Sequence, residues 1–198
     1  PKAIVLLSGG MDSCVTAAVA RADGCRLALL HSDYGQRTEA RERRAFEEIA
    51  DFFGAAERLV VEQRYLGRIG GSSLTDAAIP VRAANLEATE IPTSYVPFRN
   101  AHFLAVAVSW AEVIGAVRIY VGAVAADSSG YPDCRPEYYR AFQEVARAGT
   151  RPETRLEIVA PLVSLHKHQI IRKGIELGAP LHLSWSCYQR SDRACGVC

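Results

Sequence analysis

Ala3-Ile4-Val5-Leu6-Leu7-Ser8-Gly9-Gly10-Met11-Asp12-Ser13 is the stretch on which the fold turns. It opens as a short apolar run, the pattern of a buried strand, and closes on two glycines flanked by hydroxyls. Val15, Ala18, Val19 and Ala22 then recur at helical spacing, and Gly24 suits the stop. Strand, glycine turn and helix in that order predict the first βα unit of a parallel sheet. Two glycines let the backbone close around an anion, and the N–H groups that head a helix point at it. Ser8 and Ser13 would add hydroxyl hydrogen bonds. The turn has neither the lysine and spacing of the Walker loop nor the Rossmann fingerprint. The plain alternative is a tight turn in which Asp12 only complements the helix dipole.

Working outward, strands and helices keep alternating. Leu27 to His31 reads as the second strand, and a helix follows with Phe46, Ile49, Ala50 and Phe53 inward and Gly54 after it. The charges from Glu39 to Glu48 form its solvated face. Leu59 to Glu62 is a third strand. Arg64 to Pro97 reads as a long irregular stretch, which in a compact domain is either functional or locally ordered against something else. A helix over about Asn100 to Ile114, a strand over Val117 to Val121 and a helix marked by Tyr139, Phe142 and Val145 come next. Leu156 to Ala160 is the fifth strand, before a last helix ending at Gly178. The expected fold is α/β: a five-stranded, mostly parallel, doubly wound sheet, with ligands at the carboxyl ends of its strands.

The bulk properties narrow the class. A length of 198 residues suits one domain with a substantial core. With 23 basic against 22 acidic residues the net charge is +1, which supplies no general attraction to nucleic acid. No apolar run is long enough for a bilayer span and the start has no signal-peptide pattern, so a cytoplasmic location without a membrane partner is expected. The chain does not begin with Met, and Cys198 falls inside a motif, so both ends are expected to be cut relative to the natural product.

Ser-Gly-Gly-x-Asp-Ser after a first strand resembles the signature of the PP-loop ATP pyrophosphatases. These enzymes grip the pyrophosphate end of ATP and transfer AMP to a substrate oxygen. Four further blocks narrow the resemblance: Asp33-Tyr34-Gly35-Gln36-Arg37, Val96-Pro97-Phe98-Arg99-Asn100, Asp127 through Glu137, and Ser186-Cys187-Tyr188 with Cys195-Gly196-Val197-Cys198. In this order, over nearly the whole chain, they resemble the 7-cyano-7-deazaguanine synthase family of queuosine and archaeosine biosynthesis. The chain departs from that pattern at Thr38, often His, and at Phe98, usually Gly or Ala.

The resemblance implies conversion of 7-carboxy-7-deazaguanine, ammonia and ATP into the 7-cyano compound. It places ATP on Ser8, Gly9, Gly10, Met11, Asp12 and Ser13, with Mg²⁺ sharing the pyrophosphate charge and Asp12 helping to hold it. Arg99 and Lys167 become candidates to neutralise phosphate or carboxylate, Arg being the better planar, bidentate partner. Each is equally readable as a solvated surface residue. Asp33, Gln36, Asp127 and Asp133 are candidates for the donor edge of the guanine-like base, and Tyr34 or Tyr131 for stacking on it. Arg37, Asn100 and Arg135 complete the expected substrate set. Asp-Ser-Ser-Gly and Tyr-Pro-Asp are also ordinary turn chemistry. A homodimer is implied by the resemblance alone. With no glutaminase-like segment, ammonia is expected free or from a separate donor.

Cys187, Cys195 and Cys198 are spaced as paired thiolates that suit tetrahedral Zn²⁺, one ligand short. The resembled family has a fourth cysteine three residues beyond the last. Residues 1–180 are thus read as the ATP-binding domain and 181–198 as a zinc-binding segment, with Trp185 and Tyr188 packing the tail onto the domain. The alternatives are three unrelated thiols, a tRNA-modifying PP-loop ligase or sulfurtransferase, or an inactive, zinc-stapled nucleotide-binding module. The tRNA reading calls for a basic surface the composition does not supply. Cys134 keeps thiol chemistry open.

Overall fold

The computed structural model describes residues 1–83, 90–125 and 130–198. Among these, β1 (Lys2–Leu6), β2 (Arg26–Asp33), β3 (Glu57–Glu62), β4 (Arg118–Val121) and β5 (Glu157–Val159) form one sheet in the order β3-β2-β1-β4-β5. All its pairings are parallel, so "mostly parallel" sharpens to wholly parallel among the described residues. β1 lies at the centre, Ile4 opposite Ala28 on one side and Ile119 on the other. The chain winds outward to β3, then returns across β1 to β4 and β5. The strand order therefore switches beside β1, the place where such sheets open a ligand crevice.

Alternation along β1 divides the core. Ala3, Val5 and Leu7 face a layer built on α1 (Met11–Ala22) and α2 (Glu39–Phe53), with Phe46 and Ile49 fully buried there. Ile4 faces α4 (Arg99–Ile114) and α5 (Pro136–Gly149), among Leu104, Ala107, Ala111 and Ile119. Each large apolar side chain so buried contributes on the order of 2 kcal/mol. α6 (Lys167–Glu176) lies against α1, where Ile170 meets Val15 and Gly174 leaves room for it. No described helix is long and apolar enough to cross a membrane.

Boundaries differ modestly from the sequence reading. β3 starts two residues earlier and β5 is shorter at both ends. The stretch read as irregular holds a short helix, α3 (Tyr65–Ile69), whose Leu66 packs with Tyr34, Leu74 and Val96. One buried leucine per turn is too little periodicity to announce a helix of five residues.

Candidate active site

The glycine turn leaves the carboxyl end of β1 and starts α1. Gly9 has φ +89°, and a Cβ there would meet the Glu42 carbonyl oxygen at 2.5 Å. Gly9 is thus required first by the passage of α2. Gly10 is extended, with φ −79° and ψ 165°, and serves as the helix N-cap. The two hydroxyls brace the turn: the Gly10 N–H donates to Ser8 Oγ at 3.2 Å, Ser13 Oγ donates to the Gly10 carbonyl at 2.9 Å, and the two Oγ atoms are 3.1 Å apart. The N–H groups of Asp12 and Ser13 then head a helix that has no carbonyl for them. Gly122, just past β4, approaches this point so closely that a Cβ would lie 3.0 Å from Ser13 N. Lys167 arrives from the start of α6 and donates to both Asp12 oxygens, at 2.9 and 3.0 Å. A cation and a carboxylate from opposite ends of the chain thus border the turn.

A second group lies where α4 begins. Arg99 Nη1 donates to Tyr34 Oη at 2.8 Å, and its guanidinium lies 5.1 Å from the Tyr34 ring and 5.6 Å from the Phe103 ring. Its Nε is buried with no hydrogen-bond partner among the described residues. Burial works against the Arg99 charge, but Tyr34, Tyr131, Tyr188 and Asp133 around it hold its proton more tightly than water does. Burial pushes the Tyr34 and Tyr131 hydroxyls up, so both stay neutral donors. Tyr131 Oη is 2.7 Å from Ser94 Oγ. Asp133 accepts the Asn100 N–H at 2.9 Å, and Asn100 Nδ2 donates to the Asp133 carbonyl at 2.9 Å and to Cys134 Sγ at 3.4 Å. These bonds tie the first turn of α4 to the 3-10 turn Pro132–Cys134. Burial also raises the Asp133 carboxyl, the Asn100 N–H offsetting part of that cost.

Other residues named from sequence have their side chains taken up internally. Asp33 lies 3.1 Å from His31 Nε2 and accepts from Arg43 Nη1 at 3.2 Å. Gln36 accepts the Tyr34 N–H at 2.9 Å and donates to Glu42 at 3.2 Å. Arg37 donates to the Asp76 and Ile79 carbonyls at 2.9 and 2.7 Å, strapping the segment after α3. Arg135 is exposed at the N-cap of α5. Asp127 lies outside the described residues.

Sequence reasoning passed over Gly122, Glu42 and Arg41, and the contact of Trp185 and Ser186 with the turn. Glu42 is buried, its carboxyl raised by that burial although Thr38 Oγ1 donates to it at 2.6 Å. Glu42 sits on the charged face of α2 and carried no signal of its own. Trp185 and Ser186 were named with the cysteine tail, but their contact with the turn is a tertiary fact.

The three tail thiols converge, all within 4.8 Å of one another. The Cys195 N–H donates to Cys187 Sγ at 3.4 Å, and the Val197 and Cys198 N–H groups donate to Cys195 Sγ at 3.5 and 3.3 Å. Those two donors bring the Cys195 thiol down to about 6. A cluster of three sulfurs braced by backbone N–H groups fits a soft divalent cation.

A glycine turn opening a helix at the switch point of a parallel sheet is the arrangement of the PP-loop fold. Solved structures share that fold. A 4-thiouridine synthetase–RNA complex with bound ATP superposes with TM-score 0.58 at 21% identity, over 96% of this chain and 44% of that one. NMN synthetase from Francisella tularensis gives 0.53 at 18%, over 94% and 65%. The family itself is settled by sequence: residues 2–198 match the model of the queuosine biosynthesis protein QueC, and the chain belongs to that family. A relative from Chlorobaculum parvum, a 7-cyano-7-deazaguanine synthase, is 59% identical over 197 residues, covering all of this chain and 87% of the relative.

Proposed function

We propose that this chain is an ATP-dependent carbon–nitrogen ligase that converts 7-carboxy-7-deazaguanine and ammonia into 7-cyano-7-deazaguanine. The phosphate turn carries the reading: helix-heading N–H groups, a lysine and a caged arginine at the switch point of a chain that matches its family over residues 2–198. A carboxylate resists ammonia because oxide is not a viable leaving group. Attack of a carboxylate oxygen on the α-phosphorus of ATP expels pyrophosphate and leaves an acyl adenylate. Ammonia adds to the acyl carbon, AMP leaves with the former carboxylate oxygen, and loss of a proton gives the amide. The amide oxygen then attacks a second ATP. Loss of AMP and of the two nitrogen protons leaves the nitrile, so one nucleotide site serves both rounds.

In this reading the Asp12 and Ser13 N–H groups, with the Ser8 and Ser13 hydroxyls, hold the departing pyrophosphate. Stabilising charge as it develops is the main catalytic contribution. Lys167 exchanges Asp12 for phosphate, freeing the Asp12 carboxylate to hold Mg²⁺, which would share the pyrophosphate charge. Arg99 presents its guanidinium to the substrate carboxylate, with Tyr34 and Tyr131 beside the ring and Asp133 within reach of its N–H edge. Asp33, Gln36 and Arg37 shape the floor of the site through the bonds described above. Asn100 fixes Asp133, and Arg135, with Asp127 as a candidate named from sequence, completes the substrate set. Cys187, Cys195 and Cys198 hold Zn²⁺ in a structural segment, 181–198, appended to the 1–180 domain. A cytoplasmic homodimer using ammonia, free or from a separate donor, with no direct nucleic-acid partner, completes the reading.

The test is pyrophosphate release from ATP with ammonium, with and without 7-carboxy-7-deazaguanine. Release that depends on this acid, with a nitrile product by mass, is the expected result. Release only with another acid or with tRNA would keep the adenylating chemistry and overturn the substrate.

A further inference from the structure

The tail does more than hold three cysteines. Immediately before Cys187 it crosses the phosphate turn in contact distance. The Trp185 N–H donates to the Gly9 carbonyl at 2.8 Å, and the Met11 N–H, the first of α1, donates to Ser186 Oγ at 3.4 Å. A Cβ on Gly10 would lie 3.6 Å from the Trp185 carbonyl and 3.9 Å from Ser186 Oγ, so the strap covers Gly10 as well. The Trp185 ring is held from the other side by the Arg41 guanidinium, 4.6 Å from its centroid, and Trp185 Nε1 donates to the Cys187 carbonyl at 3.1 Å. Arg41 Nη1 is buried without a hydrogen-bond partner among the described residues, while the guanidinium stacks on Trp185. Strap, turn and thiol cluster are thus one connected piece, with Ser186 and buried Cys187 adjacent in the chain.

We propose that Trp185 and Ser186 are positioning residues of the nucleotide site, through which the cysteine cluster sets the geometry of the phosphate turn. The inference rests on the turn's binding ATP. Gly9 sits in a left-handed conformation between α2 and the strap, and its carbonyl is an acceptor within a turn whose task calls for donors. The Trp185 N–H engages that carbonyl. The Ser186 hydroxyl lies at the first N–H of α1, beside the path of a phosphate. A cation on Cys187 shortens the free chain that carries both residues, so filling the cluster pre-organises the turn and lowers the ordering cost of nucleotide binding. Coupling of this kind is reciprocal: ATP must raise the affinity of the cluster for its cation by the same factor.

The experiment is titration calorimetry of a non-hydrolysable ATP analogue against Zn²⁺-loaded and chelator-stripped protein, with circular dichroism reporting the fold. Stripping is expected to weaken the analogue by roughly tenfold, within the usual range of such couplings. Zn²⁺ affinity, by competition with a chromophoric chelator, should rise by a matching factor when the analogue is present. Ser186→Ala, which leaves the thiols in place, should weaken the analogue by about three- to tenfold. Equal analogue affinity in loaded and stripped folded protein, with Ser186→Ala unchanged, would overturn the proposal and reduce the strap to scaffold. If stripping unfolds the chain, Ser186→Ala and the Zn²⁺ affinity with and without analogue decide alone. Failure of the loaded wild type to bind the analogue at all would instead remove the ATP reading on which the strap depends.

Discussion

Asp33, a substrate-binding candidate by its sequence block, has its carboxylate engaged within the fold. Its block, Asp-Tyr-Gly-Gln-Arg, marks the loop at the end of β2, but the spacing says nothing about where the carboxylate points. In the fold it is buried beside His31 and Arg43, and His31 Nδ1 lies 2.9 Å from the Leu7 carbonyl just before the phosphate turn. Burial pushes the Asp33 carboxyl up, but the His31 hydrogen bond and charge together with Arg43 outweigh it and hold it below the ordinary 3.8. A carboxyl depressed on folding contributes stability above its unfolded value, lost as pH falls through the folded one. Asp33→Asn should therefore cost about 1–3 kcal/mol at pH 7 and progressively less below pH 3.8, compared with wild type by urea unfolding at pH 7 and pH 3. A constant difference across that range would assign the cost to geometry rather than charge.

At the scale of elements, α4 carries the informative departure. Phe98 stands where the resembled family keeps a small residue, and it is the one non-glycine residue with positive φ, 58°, among those described. The reason is local: the chain must turn sharply there so that Arg99 enters the Tyr34 cage while Asn100 meets Asp133. The side chain recovers little of the strain, being 59% exposed with an edge-on ring contact to Tyr138 at 6.2 Å. Phe98→Gly should stabilise the protein by about 1 kcal/mol, measured as a raised urea midpoint at unchanged slope. Destabilisation would mean that the Tyr138 contact outweighs the backbone strain. The helix itself was legible from Phe103, Leu104, Ala107 and Ala111, because apolar period survives without tertiary context. Its first residue was not, since the cap is a left-handed phenylalanine without a side-chain hydrogen bond.

At the scale of the whole molecule, two glycines far apart in sequence govern one turn. Gly9 is needed because α2 runs behind it, and Gly122 because β4 ends against the start of α1. Gly122→Ala would press a methyl onto Ser13 N from a backbone in which neither side is a flexible side-chain end. We expect its nucleotide affinity to fall at least about tenfold with a stability loss of about 1–3 kcal/mol. Gly9→Ala, strained in φ and meeting backbone at 2.5 Å, should lose more stability than Gly122→Ala in the same urea series. The reverse order would place the tighter constraint at β4.

The sequence by itself determined the alternation of strands and helices, the parallel sheet, the glycine turn between β1 and α1 and the cysteine group at the tail. Those features depend on local periodicity and on residues adjacent in the chain, so they are written where they act. Tertiary structure alone decided which side chains are already engaged. It gave Asp33 to His31 and Arg43, Lys167 to Asp12, and Trp185 to Gly9. The last two of these bonds join residues more than a hundred positions apart; they are set by how layers stack, and no local pattern records them.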